Sequence, residues 1–212
     1  TAANLSVDRA GRPLFKGIDV STAVSADYTP QGWQAEFTGL EAKSDRGVLA
    51  TLDARAGRLA GGEQALKATG NLRANLPGLL EQPVTRQMFG LTGGEAAIEF
   101  VASVAATKEF LAKIELKGLA IDGTAGVERL PAITTEARAD IAPDGVLTIN
   151  APIRLERDGR NSDVTLAGTL TPGGDSTNIE AHVTSTQLFV DDAKILAAAT
   201  GRTGAPDARP DD

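Results

Sequence analysis

Apolar and polar residues alternate one for one along much of this chain. The cleanest run is "DGVLTINAPIRLERDG", residues 144–159. Here Leu147, Ile149, Ala151, Ile153 and Leu155 alternate with Thr148, Asn150, Pro152, Arg154 and Glu156 between two Asp-Gly pairs. A period of two belongs to a strand with one apolar and one wet face. It recurs at Ile18, Val20, Thr22 and Val24, at Trp33, Ala35 and Phe37, and at Val48, Ala50, Leu52 and Ala54. Leu66 to Leu76 continues it, as do Ala96, Ile98, Phe100, Ala102 and Val104, then Ala112, Ile114 and Leu116. Ile133 to Ile141, Val164, Leu166, Gly168 and Leu170, and Ile179, Ala181 and Val183 complete the series.

Turn-forming clusters separate these runs: "TPQG" at 29–32, "SDRG" at 44–47, "AGG" at 60–62, "TGG" at 92–94, "DGTAG" at 122–126, "PDG" at 143–145, "RDGRN" at 157–161 and "TPGGD" at 171–175. Gly, Pro, Asn and Asp supply the backbone angles that tight turns need. The pattern predicts a meander of long antiparallel strands.

Two segments change period. "LPGLLEQPVTRQMFG", 76–90, places Leu80, Val84 and Met88 four apart, with Pro77 suited to a first turn and Gly90 to a C-terminal cap. It predicts a helix restarted or kinked at Pro83. "VDDAKILAAATG", 190–201, predicts a second, with Asp191 or Asp192 as N-cap and Gly201 closing it. Leu80, Val84 and Ile195 are expected to pack on the apolar face or close one end of it. The order of turns, strands and helix suggests two weak repeats, about 1–90 and 91–200, within one domain over 1–200. Residues 201–212, rich in Pro, Gly and Asp, are expected to be a disordered tail.

Such strands can form a two-sheet sandwich, a closed barrel or one curled sheet. Predicted strand lengths near ten residues favour the curled sheet. Many inward positions are Ala, Gly or Thr, which would leave an apolar channel unfilled, and an acyl chain is the obvious occupant. The competing reading, a packed core with Ala where backbones approach, stays open. The lining set for a groove is Ile98, Phe100, Ile114, Leu116, Leu147, Ile149, Ile153, Leu155, Val164, Leu166, Leu170, Ile179 and Val183.

Composition narrows the alternatives. The 212 residues are 42% hydrophobic but only 4% aromatic, which disfavours base- or sugar-stacking surfaces. A formal charge of −7 is the wrong sign for nucleic acid. With no cysteine there is no disulfide, thiolate metal site or Cys nucleophile. No apolar run is long enough to span a bilayer as a helix, and the abrupt alternating start at 4–7 suggests a piece of a longer protein with cut sheet edges, prone to associate with neighbouring repeats or another chain.

Catalytic constellations are weak. His182 is the lone histidine and is predicted on a polar strand face. Ser162, Ser176 and nearby aspartates permit a triad on paper, but no nucleophile elbow exists. Asp191 and Asp192 could contribute to a cation site, although capping explains them with fewer assumptions. "GLTGG" at 90–94 lacks the Lys-Ser/Thr ending of a phosphate loop and reads as a turn. Trp33, Phe37, Phe89 and Phe100 read as core. No cofactor, metal or covalent chemistry is expected.

The stretch "ALKATGNLRANLPGLLEQPVTRQMFGLTGGEAAIEFVASV", 65–104, resembles the AsmA-like family, in which a strand runs into an Asn/Asp-Leu-Pro-x-Leu-Leu helix and a Gly-rich turn opens the next strand. "DVTLAGTLTPGGDSTNIEAHVTSTQLFVDDAKILAA", 163–198, resembles that family's C-terminal strands and Asp-capped helix. The resemblance implies an envelope protein of double-membraned bacteria, anchored in the inner membrane and crossing the periplasm as a taco-shaped β-groove that conveys phospholipid. The expectation is therefore an all-β, curled, taco-like sheet with an apolar concave face and two short helices. Its partner would be phospholipid or another acyl lipid.

Overall fold

A computed structural model describes residues 1–9, 12–59, 66–82, 91–123, 126–173 and 176–192. They form β1 (Ala2–Arg9), β2 (Arg12–Thr29), β3 (Gly32–Ser44), β4 (Gly47–Leu59) and β5 (Leu66–Asn75). α1 (Leu76–Leu80) and β6 (Leu91–Val104) follow, then β7 (Lys108–Gly123), β8 (Gly126–Arg129), β9 (Ala132–Ile141), β10 (Leu147–Arg157), β11 (Arg160–Gly173) and β12 (Ser176–Thr184). All twelve strands belong to one antiparallel sheet in chain order, with β8 beside β7. The ladder does not close: β1 and β12 are its edges. It is continuous where the two weak repeats would meet, since β5 pairs with β6 from Leu66↔Val104 to Asn75↔Glu95. There is neither a second sheet nor a barrel among the described residues, so the fold is the single open all-β sheet.

β8 and β9 are one interrupted strand. Ala120↔Arg129 and Leu116↔Ile133 keep the same register along β7, and the Leu130 N–H bridges the gap by donating to the Leu119 carbonyl at 2.9 Å. Pro131, which has no N–H for the ladder, sits fully buried at the interruption.

Bulges bend the sheet, because an extra residue on one strand raises local twist. Asn4 (φ 54°) lies in a bulge opposite Asp19, and its N–H donates to the Asp19 Oδ1 at 2.7 Å. Gly39 (φ 58°) repeats the device opposite Asp53, donating to its Oδ1 at 2.7 Å. "TGG" at 92–94 is no turn: it lies within β6, where the register with β7 shifts around Gly93. Glycine serves a bulge as readily as a turn, which explains the misreading.

α1 is shorter than the predicted helix. The Asn75 side chain caps it by accepting from the Gly78 N–H at 3.1 Å, Pro77 occupies its first turn, and the Glu81 N–H returns to the Pro77 carbonyl at 3.1 Å. Pro83, Val84, Met88, Phe89 and Gly90 lie outside the described residues. Gln82 Oε1 accepts the Lys16 N–H of β2 at 3.1 Å, while Leu76 lies against Gly94 of β6. In a flat sheet those strands would be about 19 Å apart. Segment 76–82 touches both because the sheet curls toward it.

A second segment closes the same end near β11. Residues 190–192 are helical, so Asp191 and Asp192 lie inside the first turn instead of capping it, and Ile195 and Gly201 fall outside the described residues. Buried Asp192 accepts from the Ser162 hydroxyl at 2.6 Å, and Ser162 Oγ in turn accepts the Phe189 N–H at 3.1 Å. The Arg160 guanidinium lies 5.0 Å from the Phe189 ring centre.

Asp163 completes this attachment by accepting the Thr186 N–H, the Thr186 hydroxyl and the Gln187 N–H at 3.1, 2.8 and 2.7 Å. The Thr186 N–H first, then its hydroxyl, hold the Asp163 carboxyl below the usual carboxylate range. A depressed folded-state pKa stabilises the attachment above the ordinary value of about 3.9, and that stabilisation is lost as pH falls through the folded value. Protection of the Thr186 and Gln187 amides, corrected for intrinsic exchange, should therefore fall below about pH 4 while the β7–β9 ladder stays protected. In Asp163→Asn these two amides should be weakly protected at every pH. Protection that is unaffected by acid or by this substitution would show that the carboxylate does not hold the segment.

Candidate functional site

Ladder register assigns every strand residue to a face. Starting from Leu155 and passing through Ile133, Leu116, Ala96, Ala74 and Ala50, one face can be followed across β10, β9, β7, β6, β5 and β4. All thirteen residues of the predicted lining set lie on it, including Val164 opposite Ile153, Leu166 opposite Val183, and Leu170 between Leu147 and Ile179.

That face is banded across the strands. At the end covered by α1 and 190–192, the row Ala50, Ala74, Ala96, Leu116, Ile133, Leu155 and Ser162 includes much of the small buried core, with Leu155 and Ser162 fully covered. Next comes a branched row: Leu40, Leu52, Leu72, Ile98, Ile114, Thr135, Ile153 and Val164. Beyond it lie two rows dominated by small side chains. One runs Ala54, Gly70, Phe100, Ala112 and Ala137; the other runs Ala56, Ala68, Ala102, Phe110 and Ala139 to Ile149, Gly168 and Ala181. Within them the Phe100 ring lies across Gly70, where any Cβ would come within 2.6 Å of it, and stacks on Phe110 with centres 6.3 Å apart.

Among the described residues no second layer covers the small-residue rows. Ile149 is 38% exposed, Leu166 39%, Ile179 67% and Val183 68%, values no packed core would allow. Trp33 and Phe37, expected as core, are likewise exposed on this face. Sequence reading left Leu52, Leu72 and Phe110 out of the lining set, although Phe110 simply extends the alternation of Ala112, Ile114 and Leu116.

The other face is wet and charged. Arg55 pairs with Glu36 at 3.1 Å, Arg138 with Asp140 at 2.7 Å, and Glu115 with Lys117 and Lys113 at 2.7 and 3.3 Å. Lys117 and then Lys113 hold the Glu115 carboxyl below its ordinary range. A shallow depression of about 980 Å³ crosses this face between the rows of Asp53, Asn71, Glu99 and Lys113 and of Arg55, Thr69, Val101 and Leu111.

The paper triad does not assemble. His182 stands opposite Ala167 on the charged face, whereas Ser162 is buried on the apolar face, five positions along β11, with its hydroxyl committed to Asp192. Among the described residues no cluster of three or more His, Asp or Glu could hold a metal ion, and no helix is long and apolar enough to cross a membrane. Among the described residues this geometry presents a banded apolar surface, flanked along one side by α1 and 190–192 and open along the other. No protein-family model, curated protein or solved structure matches the chain.

Proposed function

We propose that this chain is a lipid-binding segment of an AsmA-like envelope protein, and that its apolar face takes up phospholipid tails in the periplasm and passes them along the sheet without covalent chemistry. In this reading the parent protein is anchored in the inner membrane. The observation that carries it is the apolar face: thirteen alternating positions from five strands converge on one surface, Leu155 alone among them fully covered, and small side chains occupy the middle of that surface. The branched row from β3 to β11 crosses seven strand spacings, about 34 Å, against about 15 Å for one leaflet of a bilayer core. Several tails would fit side by side, each buried methylene contributing about 0.8 kcal/mol.

A second reading, a docking module that accepts another chain along β12, draws on one observation: among the described residues β12 has no outer partner, and its side chains from Thr177 to Thr184 are exposed. Native mass spectrometry after incubation with phospholipid vesicles separates the two. The lipid reading expects mass additions of whole phospholipids to the monomer. Lipid-free monomer, or oligomers that form with no lipid bound, would overturn it.

A further inference from the structure

We infer that the amphiphile held on the apolar face carries an anionic headgroup, seated along the open rim by Arg58 and Lys108; this rests on the lipid-binding reading above. The first observation is a charge sorting the overall composition opposes. Net charge is −7, yet across β4–β6, β7 from Lys108 to Leu116, and β9–β12 the apolar face carries no acidic side chain among its ladder positions. Its only charged positions in those rows are Arg58, Lys108, Arg157 and Arg160. Every acidic side chain of those rows, from Asp53 and Glu99 to Asp163 and Glu180, projects from the other face, and only past Gly118, where Ile121↔Glu128 and Asp122↔Val127 are adjacent rows, does one acid fall on each face.

Position divides the four basic residues. Arg157 and Arg160 stand opposite each other at the closed end, where Arg157 meets Asp158 and Arg160 covers Phe189. Arg58 and Lys108 lie at the open rim in one row with Tyr28, Trp33, Leu66 and Val104. Long basic side chains can rest their stems on apolar neighbours. That tolerance alone does not explain the sorting, since both rim residues are exposed and an acid there would be equally well hydrated.

The second observation is aromatic. The chain has one Trp and one Tyr, and they are opposite each other in this same rim row, Tyr28 83% exposed and Trp33 38%. Trp and Tyr favour the level where hydrocarbon meets headgroup. Dimensions agree: a tail about 15 Å long, starting beside Lys108 and running along β7, passes Phe110 and ends between Ala112 and Ile114. It would lie over the two small-residue rows and stop at the branched one. Arg58 and Lys108 are three strand spacings apart, about 14 Å, so each serves its own headgroup.

The test uses vesicles of equal parts phosphatidylglycerol and phosphatidylcholine with matched tails. Vesicles are removed by gel filtration, and lipid retained by the protein is quantified by mass spectrometry. One basic group near an anionic headgroup is worth about fivefold in binding, so phosphatidylglycerol should be retained about fivefold over phosphatidylcholine, and the preference should shrink in high salt. Arg58→Glu with Lys108→Glu should abolish the preference while phosphatidylcholine is still retained. Lys67→Glu, beside the same rim but on the charged face, should leave the preference intact. Equal retention of both lipids by the parent protein overturns the headgroup assignment and leaves lipid binding standing. An equal loss of preference in Lys67→Glu also overturns it, because net charge would then be responsible. Retention of neither lipid removes the lipid-binding reading and this inference with it.

Discussion

Leu155→Asp is expected to destabilise the sheet by more than about 4 kcal/mol, enough to unfold most of it if total stability lies in the ordinary range of about 5–15 kcal/mol. Leu155 is fully buried, directly across the strand pair from Ser162, whose hydroxyl donates to Asp192. A carboxylate there would lack water and would stand close to Asp192, which already uses Ser162 as its donor. Leu155→Ala, which removes volume without adding charge, should cost about 2–5 kcal/mol. Circular dichroism melting of both variants beside the parent checks this. A melting curve for Leu155→Asp that overlays the parent's would show that this end is hydrated and that 190–192 does not close it.

Ile149→Asp, on the same strand and the same face, is expected to give the opposite outcome: a folded protein that has lost at least about tenfold in lipid retention. Ile149 lies between Ala139 and Gly168 in the uncovered small-residue row and is already 38% exposed, so a carboxylate there can reach water when no lipid is bound. With lipid bound it would be trapped among alkyl tails. Thr148→Asp, one position away on the charged face, should leave both folding and retention near the parent's. Retention by Ile149→Asp equal to the parent's would remove the groove assignment. Its complete unfolding would mean that the face is buried after all and would favour a packed interior.

The strands could be read from the sequence where alternation was strict and the turns carried Gly, Pro or Asp. β10, β11 and the Asp158-Gly159 hairpin between them follow directly from that pattern. The hairpin at 105–107 was not readable, because Ala105, Ala106 and Thr107 lack every usual turn signal, and only the bond from the Ala105 N–H to the Thr107 carbonyl reveals it. Asp192 was misassigned as a cap because its partner, Ser162, is thirty residues away on a strand that local periodicity cannot place beside it. Trp33 and Phe37 were expected as core on the assumption that large apolar side chains find a second layer, and among the described residues this sheet has none. The common face of the lining set was legible. Alternation fixes a strand's face wherever register is unbroken, so the thirteen residues converge despite the bulges near Gly39 and Gly93. The charge sorting that singles out Arg58 and Lys108 was invisible for the complementary reason: it exists only across strands.

The strictly sequential pairing has a consequence for how the chain acquires and loses its order. Apart from the short β8, each strand pairs only with the strands immediately before and after it in the chain, so no strand pairing must wait for a distant segment to arrive. Loop closure is cheap at every step, and contact order is low for an all-β protein. Such a sheet can nucleate at any hairpin and zip outward, behaving as a one-dimensional array in which each strand's stability depends on its neighbours. Melting should run inward from the two ends toward β6 and β7, which both pair over long stretches. A chain emerging residue by residue during synthesis could begin ordering behind the point of emergence before its last strand arrived.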